Sequence, residues 1–295
     1  MKLIKPSWEI LEQEPGIDGI YKAIERAGRT CYKSEDKMTE DSAKGFVDRM
    51  IKSGHGAMLE HGTVYLAMPM ETIMPIEANG WGKYTKSPYS KGFKVCEVDG
   101  QRRVAVTTNL RVLVENGWLD DLQYICEPTE YHEKRITVHF ICDRGVSHEF
   151  VRHRVFSFAQ ESTRYCNYSK DKFGNELTFI EPCWLEDYNY ESNTYYNGFL
   201  VALRAAEANY LNLLKQWEDK IPDKRYKTGF RNNPWTPQQA RAVLPNALKT
   251  ELVMTGFIND WKHFFELRCA PNAHPSAREL AIPLREEFVR RGYLK

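Results

Sequence analysis

Residues Arg152 to Tyr165, RHRVFSFAQESTRY, bring three arginines, a histidine, two serines, a glutamine and a glutamate into fourteen positions. An arginine stays charged at any ordinary pH and holds its donors in a fixed fork, which suits phosphate and planar heterocycles bearing oxygen. A phosphorylated pyrimidine offers both targets. At about 100° per residue, Arg152 and Arg154 would point roughly 200° apart on a helix, so the segment is read as a helix end running into a loop. The aromatics and hydroxyls between the arginines distinguish it from a plain solvated basic face.

Other chemistry-bearing residues have plainer readings. His148-Glu149 followed by His153 resembles a zinc-binding HExxH pattern, but the second histidine comes one residue late and a five-residue step turns it about 140° off the required face, so no metal is expected. Ser157 and Ser162 lack a visible Asp-His relay; Ser162 is read as a ligand contact and Ser157 as a cap. Cys183 is read as a buried thiol, since free cysteine behaves as a small hydrophobe. Neither GxGxxG nor GxxxxGK[ST] occurs, so a Rossmann or P-loop site is not expected.

The elements that must position these residues are mixed. Ile20, Ile24 and Ala27, then Ala43, Phe46, Val47, Met50 and Ile51, recur at helical spacing, predicting helices over 17–29 and 39–53, the second ended by Gly54. Thr63 to Met68 and Ile136 to Asp143 are β-branched and aromatic runs of strand length. Between them, Pro75, Gly80, Gly82, Pro88 and Gly92 precede KVCEVDGQRRVAV, whose Asp99-Gly100 pair marks a hairpin. Phe199, Leu203, Ala206, Tyr210, Leu213 and Trp217 predict a long amphipathic helix from Ser192 to Glu218. Two more helices are expected at about 260–268 and 276–290. The fold class is read as α/β in the mixed α+β sense, an antiparallel or mixed sheet flanked by helices with an inserted hairpin-containing segment. With no repeat or linker, the expectation is one domain over 1–295, with about 70–135 an insertion within it.

Composition excludes several alternatives. The 295 residues carry 41 Lys+Arg against 40 Asp+Glu, a formal charge of +1, which argues against a protein whose affinity for nucleic acid or membrane rests on excess positive charge. No apolar run approaches the roughly 20 residues that span a bilayer, and the start, MKLIKPSWEILEQEPG, has no signal-peptide core, so a cytoplasmic location is expected. Seven scattered cysteines without a CxxC pair are read as mostly reduced.

RHRVFSFAQESTRY resembles the signature of the flavin-dependent thymidylate synthases, an RHR followed after seven residues by Ser, with Ser157, Ser162 and Arg164 in register. MLEHG around His61, ARAVLP around Arg241 and HFFELR ending at Arg268 agree with the same family in order. The resemblance implies conversion of dUMP to dTMP, with carbon from 5,10-methylenetetrahydrofolate and hydride from NADPH through FAD, in a homotetramer and without an enzyme nucleophile. It assigns Glu149, Arg152, Gln160, Glu161, Ser162, Thr163, Arg164, Arg241 and Arg268 to dUMP. Thr63, Arg152, His153, Arg154, Gln160, Asn259 and His263 go to FAD. Arg268 and His61 fall at the reacting centre, Arg268 stabilising the ionised uracil. Some members have Gln where this chain has Glu149, and an Asn-x-Arg flavin motif is incomplete at Phe257-Ile258-Asn259. Two other readings are a nucleic-acid platform of arginines and aromatics and a family member that binds dUMP without turnover.

Overall fold

The alternation Arg135-Ile136-Thr137-Val138-His139-Phe140 becomes the two faces of a sheet strand. The computed structural model describes residues 1–73, 82–98, 100–188, 193–215 and 234–294. The chain opens with β1 (Lys2–Ile4), β2 (Ser7–Leu11), α1 (Gly16–Tyr32), α2 (Ser42–Lys52) and α3 (Gly56–Leu59). It continues through β3 (Thr63–Pro69), α4 (Met70–Ile73), β4 (Lys91–Val98), β5 (Gln101–Asn109) and α5 (Leu110–Asn116). Next come β6 (Arg135–Asp143), α6 (Arg144–Phe150), β7 (Ser157–Gln160) and β8 (Thr178–Ile180). Last are α7 (Thr194–Leu213), α8 (Pro237–Ala240), β9 (Lys249–Phe257), α9 (Ile258–Arg268) and α10 (Pro275–Arg290).

The central sheet has strand order β2-β6-β9-β7 and is antiparallel throughout. β6 and β9 pair over their full lengths, from Arg135 opposite Phe257 to Asp143 opposite Lys249. Because side chains alternate, Ile136, Val138, Phe140 and Cys142 share one face with Leu252 and Met254. α6, α9 and α10 cover that face through Phe150, Trp261, Phe264 and Phe288, all fully buried. Each such side chain contributes about 1.5–3 kcal/mol by leaving water. The Trp261 indole donates to the Ile136 carbonyl at 3.1 Å, so its one polar atom is satisfied.

The opposite face carries Arg135, Thr137, His139, Ser157, Glu251 and Thr255, with α1 and α3 over it. Much of this polar row is buried. A second sheet, β3-β5-β4, packs beside it. Its Val64, Leu66, Met68, Val104 and Val106 form a core with Ile20, Ile24, Phe46, Val47, Leu110 and Leu113. β5 is the central strand there, so residues 101–109 are woven into a core rather than appended to it. β4 and β5 meet with Val98 opposite Gln101, and Gly100 takes φ 74°, the left-handed conformation that a tight hairpin turn requires. β1 and β8 make a small parallel pair.

The expected helices over 17–29, 39–53, 260–268 and 276–290 and both strand runs are present with ends shifted by a few residues. The long helix runs Thr194–Leu213; Ser192, Trp217 and Glu218 lie outside the described residues, as do Pro75, Gly80 and Asp99. No described helix is long and apolar enough to cross a membrane.

Candidate active site

α6 starts on Asp143, whose carboxylate accepts from the Val146 amide at 2.7 Å, and ends at Phe150. The chain then folds through tight turns: the Arg152 amide donates to the Glu149 carbonyl, His153 to Phe150 and Phe156 to His153. Alternate side chains therefore part company. His153 and Phe156 turn inward while Arg152 and Arg154 turn out to solvent. Phe156 stands edge-on to Trp261 at 4.7 Å and fills the space above Gly256, where a Cβ would lie 2.5 Å from its ring.

Arg268, the last residue of α9, is clasped by this turn. Its Nε donates to His153 Nε2 at 3.1 Å, one terminal nitrogen to the Glu149 carboxylate at 2.6 Å, and the other to the Glu149 carbonyl at 2.8 Å. Three N–H donors are thus engaged within the described residues, which leaves one on each terminal nitrogen. An acceptor from arginine carries no proton, so His153 is neutral with its hydrogen on Nδ1. Burial pushes its pKa down to about 4, helped by Arg268 and His263. The His263 ring lies 6.0 Å away, exposed, with Glu266 3.5 Å from its Nδ1. Asn259, also exposed, sits in the first turn of the same helix.

At the far end of β7, Gln160 donates to Ser147 of α6 at 2.8 Å and lies 3.3 Å from Thr250. Glu161 does not face outward. It is 2% exposed, accepts from Tyr168 and Lys249 at 2.8 Å each, and its amide donates to the Glu251 carbonyl. Its expected contact with a nucleotide gives way to an anchoring position, because both carboxylate oxygens are taken inside the protein. Lys249 also reaches Glu251 at 2.5 Å, which Lys33 and His139 approach at 2.8 and 2.9 Å. Although burial alone would raise the Glu251 carboxyl, these donors hold it well below the usual carboxylate range. The anchored segment presents Ser162, Thr163 and Arg164; Arg241, on the short turn after α8, lies 3.4 Å from the Thr163 hydroxyl. Arg152, Arg154 and Arg164 are exposed and form no ion pair among the described residues.

His61 lies on the other face of the central sheet. It is 1% exposed, with Nδ1 2.8 Å from the Thr255 hydroxyl and Nε2 buried without a hydrogen-bond partner. Burial, with the nearby Arg135 charge, pushes its pKa down to about 3. Arg135 is itself buried, donating to the Glu60 carbonyl at 2.9 Å, Thr63 at 3.2 Å and Ser157 at 3.1 Å. Burial lowers it to about 10, so it remains charged at neutral pH. Ser157 is therefore a strand residue serving Arg135 rather than a cap. Gln13 brackets the Thr63 backbone with two hydrogen bonds.

The structure thus gathers Glu149, His153, His263 and Arg268 at the meeting of α6 and α9, with Gln160 tied to α6. Ser162, Thr163 and Arg164 follow from the end of β7, and Arg241, on the turn after α8, approaches Thr163. It does not bring His61 and Thr63 to the Arg268 cluster within one chain, since the central sheet stands between. Sequence reasoning missed Arg135 and the Lys249 network. The alternation Arg135, Thr137, His139 against Ile136, Val138, Phe140 was the available signal, a strand polar on a face that another layer covers. Among the described residues no group of three or more His, Cys, Asp or Glu could hold a metal ion. Cys183 is half-buried rather than the fully buried thiol expected, and that partial burial still raises its thiol, the opposite of what a nucleophilic thiolate needs.

A flavin dinucleotide asks for cations at its diphosphate and donors along its ring. Arg152 and Arg154, exposed on one turn and without ion pairs among the described residues, fit the first of those demands.

Residues 128–291 match the family model described as thymidylate synthase complementing protein. The chain is 36% identical over 146 residues to a flavin-dependent thymidylate synthase of Mycolicibacterium gilvum, a match covering 50% of this chain and 54% of that protein. It is 27% identical over 274 residues to one from Mycolicibacterium vanbaalenii, covering 92% and 76%. A third, from Mycobacterium avium, is 34% identical over 139 residues, covering 47% and 51%. The first and third matches thus span about half the length of those relatives.

Proposed function

Because that match takes in more than half of its residues, the chain belongs to the thymidylate synthase complementing protein family, and we propose that it is a flavin-dependent thymidylate synthase converting dUMP to dTMP. NADPH is the reductant and 5,10-methylenetetrahydrofolate the carbon donor. The observation that carries the reading is the Arg268 clasp: a guanidinium fixed by Glu149 and His153, with donors left on both terminal nitrogens beside unpaired Arg152.

The chain's own groups divide the work by chemistry. Arg152, Arg164 and Arg241, with Ser162 and Thr163, hold the phosphate and sugar of dUMP, since charge-assisted donors suit phosphate oxygens. Gln160 and the Arg268 donors meet the ring. A fixed cation beside the ring oxygens favours the negative charge that makes carbon 5 nucleophilic. No enzyme thiol need attack, in keeping with the raised Cys183. Arg152, His153 and Arg154, with Thr63, Asn259 and His263, hold FAD, which when bound supplies hydride transfer.

His61 and Arg268 stand on opposite faces of one sheet, which supports a site built from more than one copy; the homotetramer and the cytoplasmic location rest on the family resemblance alone. The test is anaerobic: the purified yellow protein is mixed with NADPH, with and without dUMP, then given methylenetetrahydrofolate and assayed for dTMP. Flavin bleaching accelerated by dUMP, followed by dTMP, is expected. A protein that takes up no FAD and forms no dTMP would overturn the reading.

A further inference from the structure

Tyr65, Thr107 and Lys91 stand opposite one another across β3, β5 and β4, so their side chains share the face of the second sheet turned away from its core of Val64, Leu66, Val104 and Val106. That face meets the end of the central sheet. The Tyr65 hydroxyl accepts from the Arg135 amide at 3.3 Å, while the Lys91 ammonium lies 4.3 Å from the centre of the Phe257 ring and 3.5 Å from the Asp260 carboxylate. Phe257 ends β9, and Asp260 belongs to the first turn of α9, where its other oxygen accepts from the Phe257 amide at 3.0 Å. Lys91 is thus brought to the head of α9, one residue along the chain from exposed Asn259.

The two cations at this junction are unequally placed. Arg135, 5.6 Å from the same ring, is 7% exposed and donates to Glu60, Thr63 and Ser157, so its donors are spent inside the protein. The Lys91 side chain is 35% exposed, and its 3.5 Å approach to Asp260 is at the outer limit of a hydrogen bond. An ammonium carries three N–H donors. Asp260, already capping α9, engages one of them weakly, and the face of Phe257 attracts the charge without supplying an oxygen acceptor. We propose that Lys91 is a flavin-binding residue, its ammonium pairing with a phosphate oxygen of FAD beside Asn259. Asn259 offers only a neutral amide there, so the cation comes from β4 of the second sheet. The inference rests on FAD lying along α9, over Asn259 and His263, as proposed above.

The test titrates FAD into the full chain freed of flavin, followed by flavin fluorescence at low and at high salt, for the wild type, Lys91→Met, Lys91→Arg, Asp260→Asn and Arg154→Ala. Lys91→Met keeps an apolar stem over Phe257 and removes the charge. It should weaken FAD about tenfold at low salt, the worth of one charge-assisted hydrogen bond, and less at high salt, where the attraction is screened. Lys91→Arg, which keeps the charge, should hold FAD within about threefold of the wild type. Asp260→Asn retains a cap for α9 and releases Lys91 from the carboxylate, so FAD should bind about twofold to threefold tighter. An ion pair that served folding alone would weaken FAD in both Lys91→Met and Asp260→Asn, and that result overturns the proposal. A loss in Lys91→Met of equal size at both salts also overturns it, as does FAD affinity within about twofold of the wild type while Arg154→Ala weakens binding. A wild-type chain that takes up no FAD overturns instead the function on which the proposal rests.

Discussion

Replacing Arg268 by alanine removes three hydrogen bonds, one of them the ion pair with Glu149, from the folded protein and, on the proposed function, two donors from a bound ring. The folding cost is modest. Glu149 is 34% exposed and can return to water, so the main loss is the acceptor left on His153, which is 6% exposed; an unsatisfied buried acceptor costs about 1–3 kcal/mol. The binding cost is larger. Two charge-assisted donors to ring oxygens would contribute about 1.5 kcal/mol each at the low end of the charged range. Together they amount to roughly 100-fold in affinity. Arg268→Ala should thus fold, bind FAD and lose about two orders of magnitude in dUMP affinity, with turnover falling at least as far. Calorimetry with dUMP, flavin absorbance and a dTMP assay read the three properties separately. A second signature is internal: without the neighbouring cation, the His153 pKa should climb from about 4 toward its ordinary value, visible by NMR titration. Affinity for dUMP within threefold of wild type, with flavin retained, would remove Arg268 from the site.

The buried histidines predict acid lability. In the unfolded chain they take up protons below about pH 6.5, whereas the folded protein resists until about pH 3 for His61 and about pH 4 for His153. Stability is therefore complete above pH 7 and is lost as pH falls from 6.5 toward 4, by about 2 kcal/mol for His61 at pH 5 and somewhat less for His153. Urea denaturation at pH 7 and pH 5 measures this; a loss as large in His61→Asn as in the wild type would clear His61 of it. Gly256→Ala places a Cβ 2.5 Å from the Phe156 ring, which should cost about 1–3 kcal/mol by overpacking and displace the turn carrying Arg152 and Arg154. Flavin affinity should fall with it and recover in Gly256→Ala/Phe156→Leu; recovery of stability without affinity would break the link.

The sequence made the central elements legible because their signals are local. The run Thr63 to Met68 and the periodic helices need no partner to be recognised, and Asp99-Gly100 announces its turn. β7 escaped notice since four residues, Ser157–Gln160, are too few for a period to show, and their strand state is imposed by β9 on one side. Chemistry-bearing types were found where they cluster in sequence, in RHRVFSFAQESTRY, but not where folding gathers them. Lys33, His139, Glu161, Lys249 and Glu251 come from four separate stretches, and only the sheet register brings them together. Glu161 illustrates the limit: its neighbours Gln160 and Ser162 are half-buried, while Glu161 turns inward onto Tyr168 and Lys249.

The central sheet is built from two unlike economies of burial, and the difference locates function. Its apolar face, under α9 and α10, is filled by aromatics whose polar atoms are few and satisfied. Its other face buries Arg135, His139, Glu251 and His61, and leaves His61 Nε2 and Arg135 Nε without partners. Each such atom costs about 1–3 kcal/mol. A sequence able to make the first face so consistently had the means to make the second one apolar as well. Departures of this kind from local consistency are expected where a fold serves something other than its own stability. The polar face, where Arg135 ties together the backbone before His61, the Thr63 hydroxyl and Ser157, is therefore a candidate for function beside the exposed arginines. On this argument Arg135 belongs in the mutational series beside Arg268.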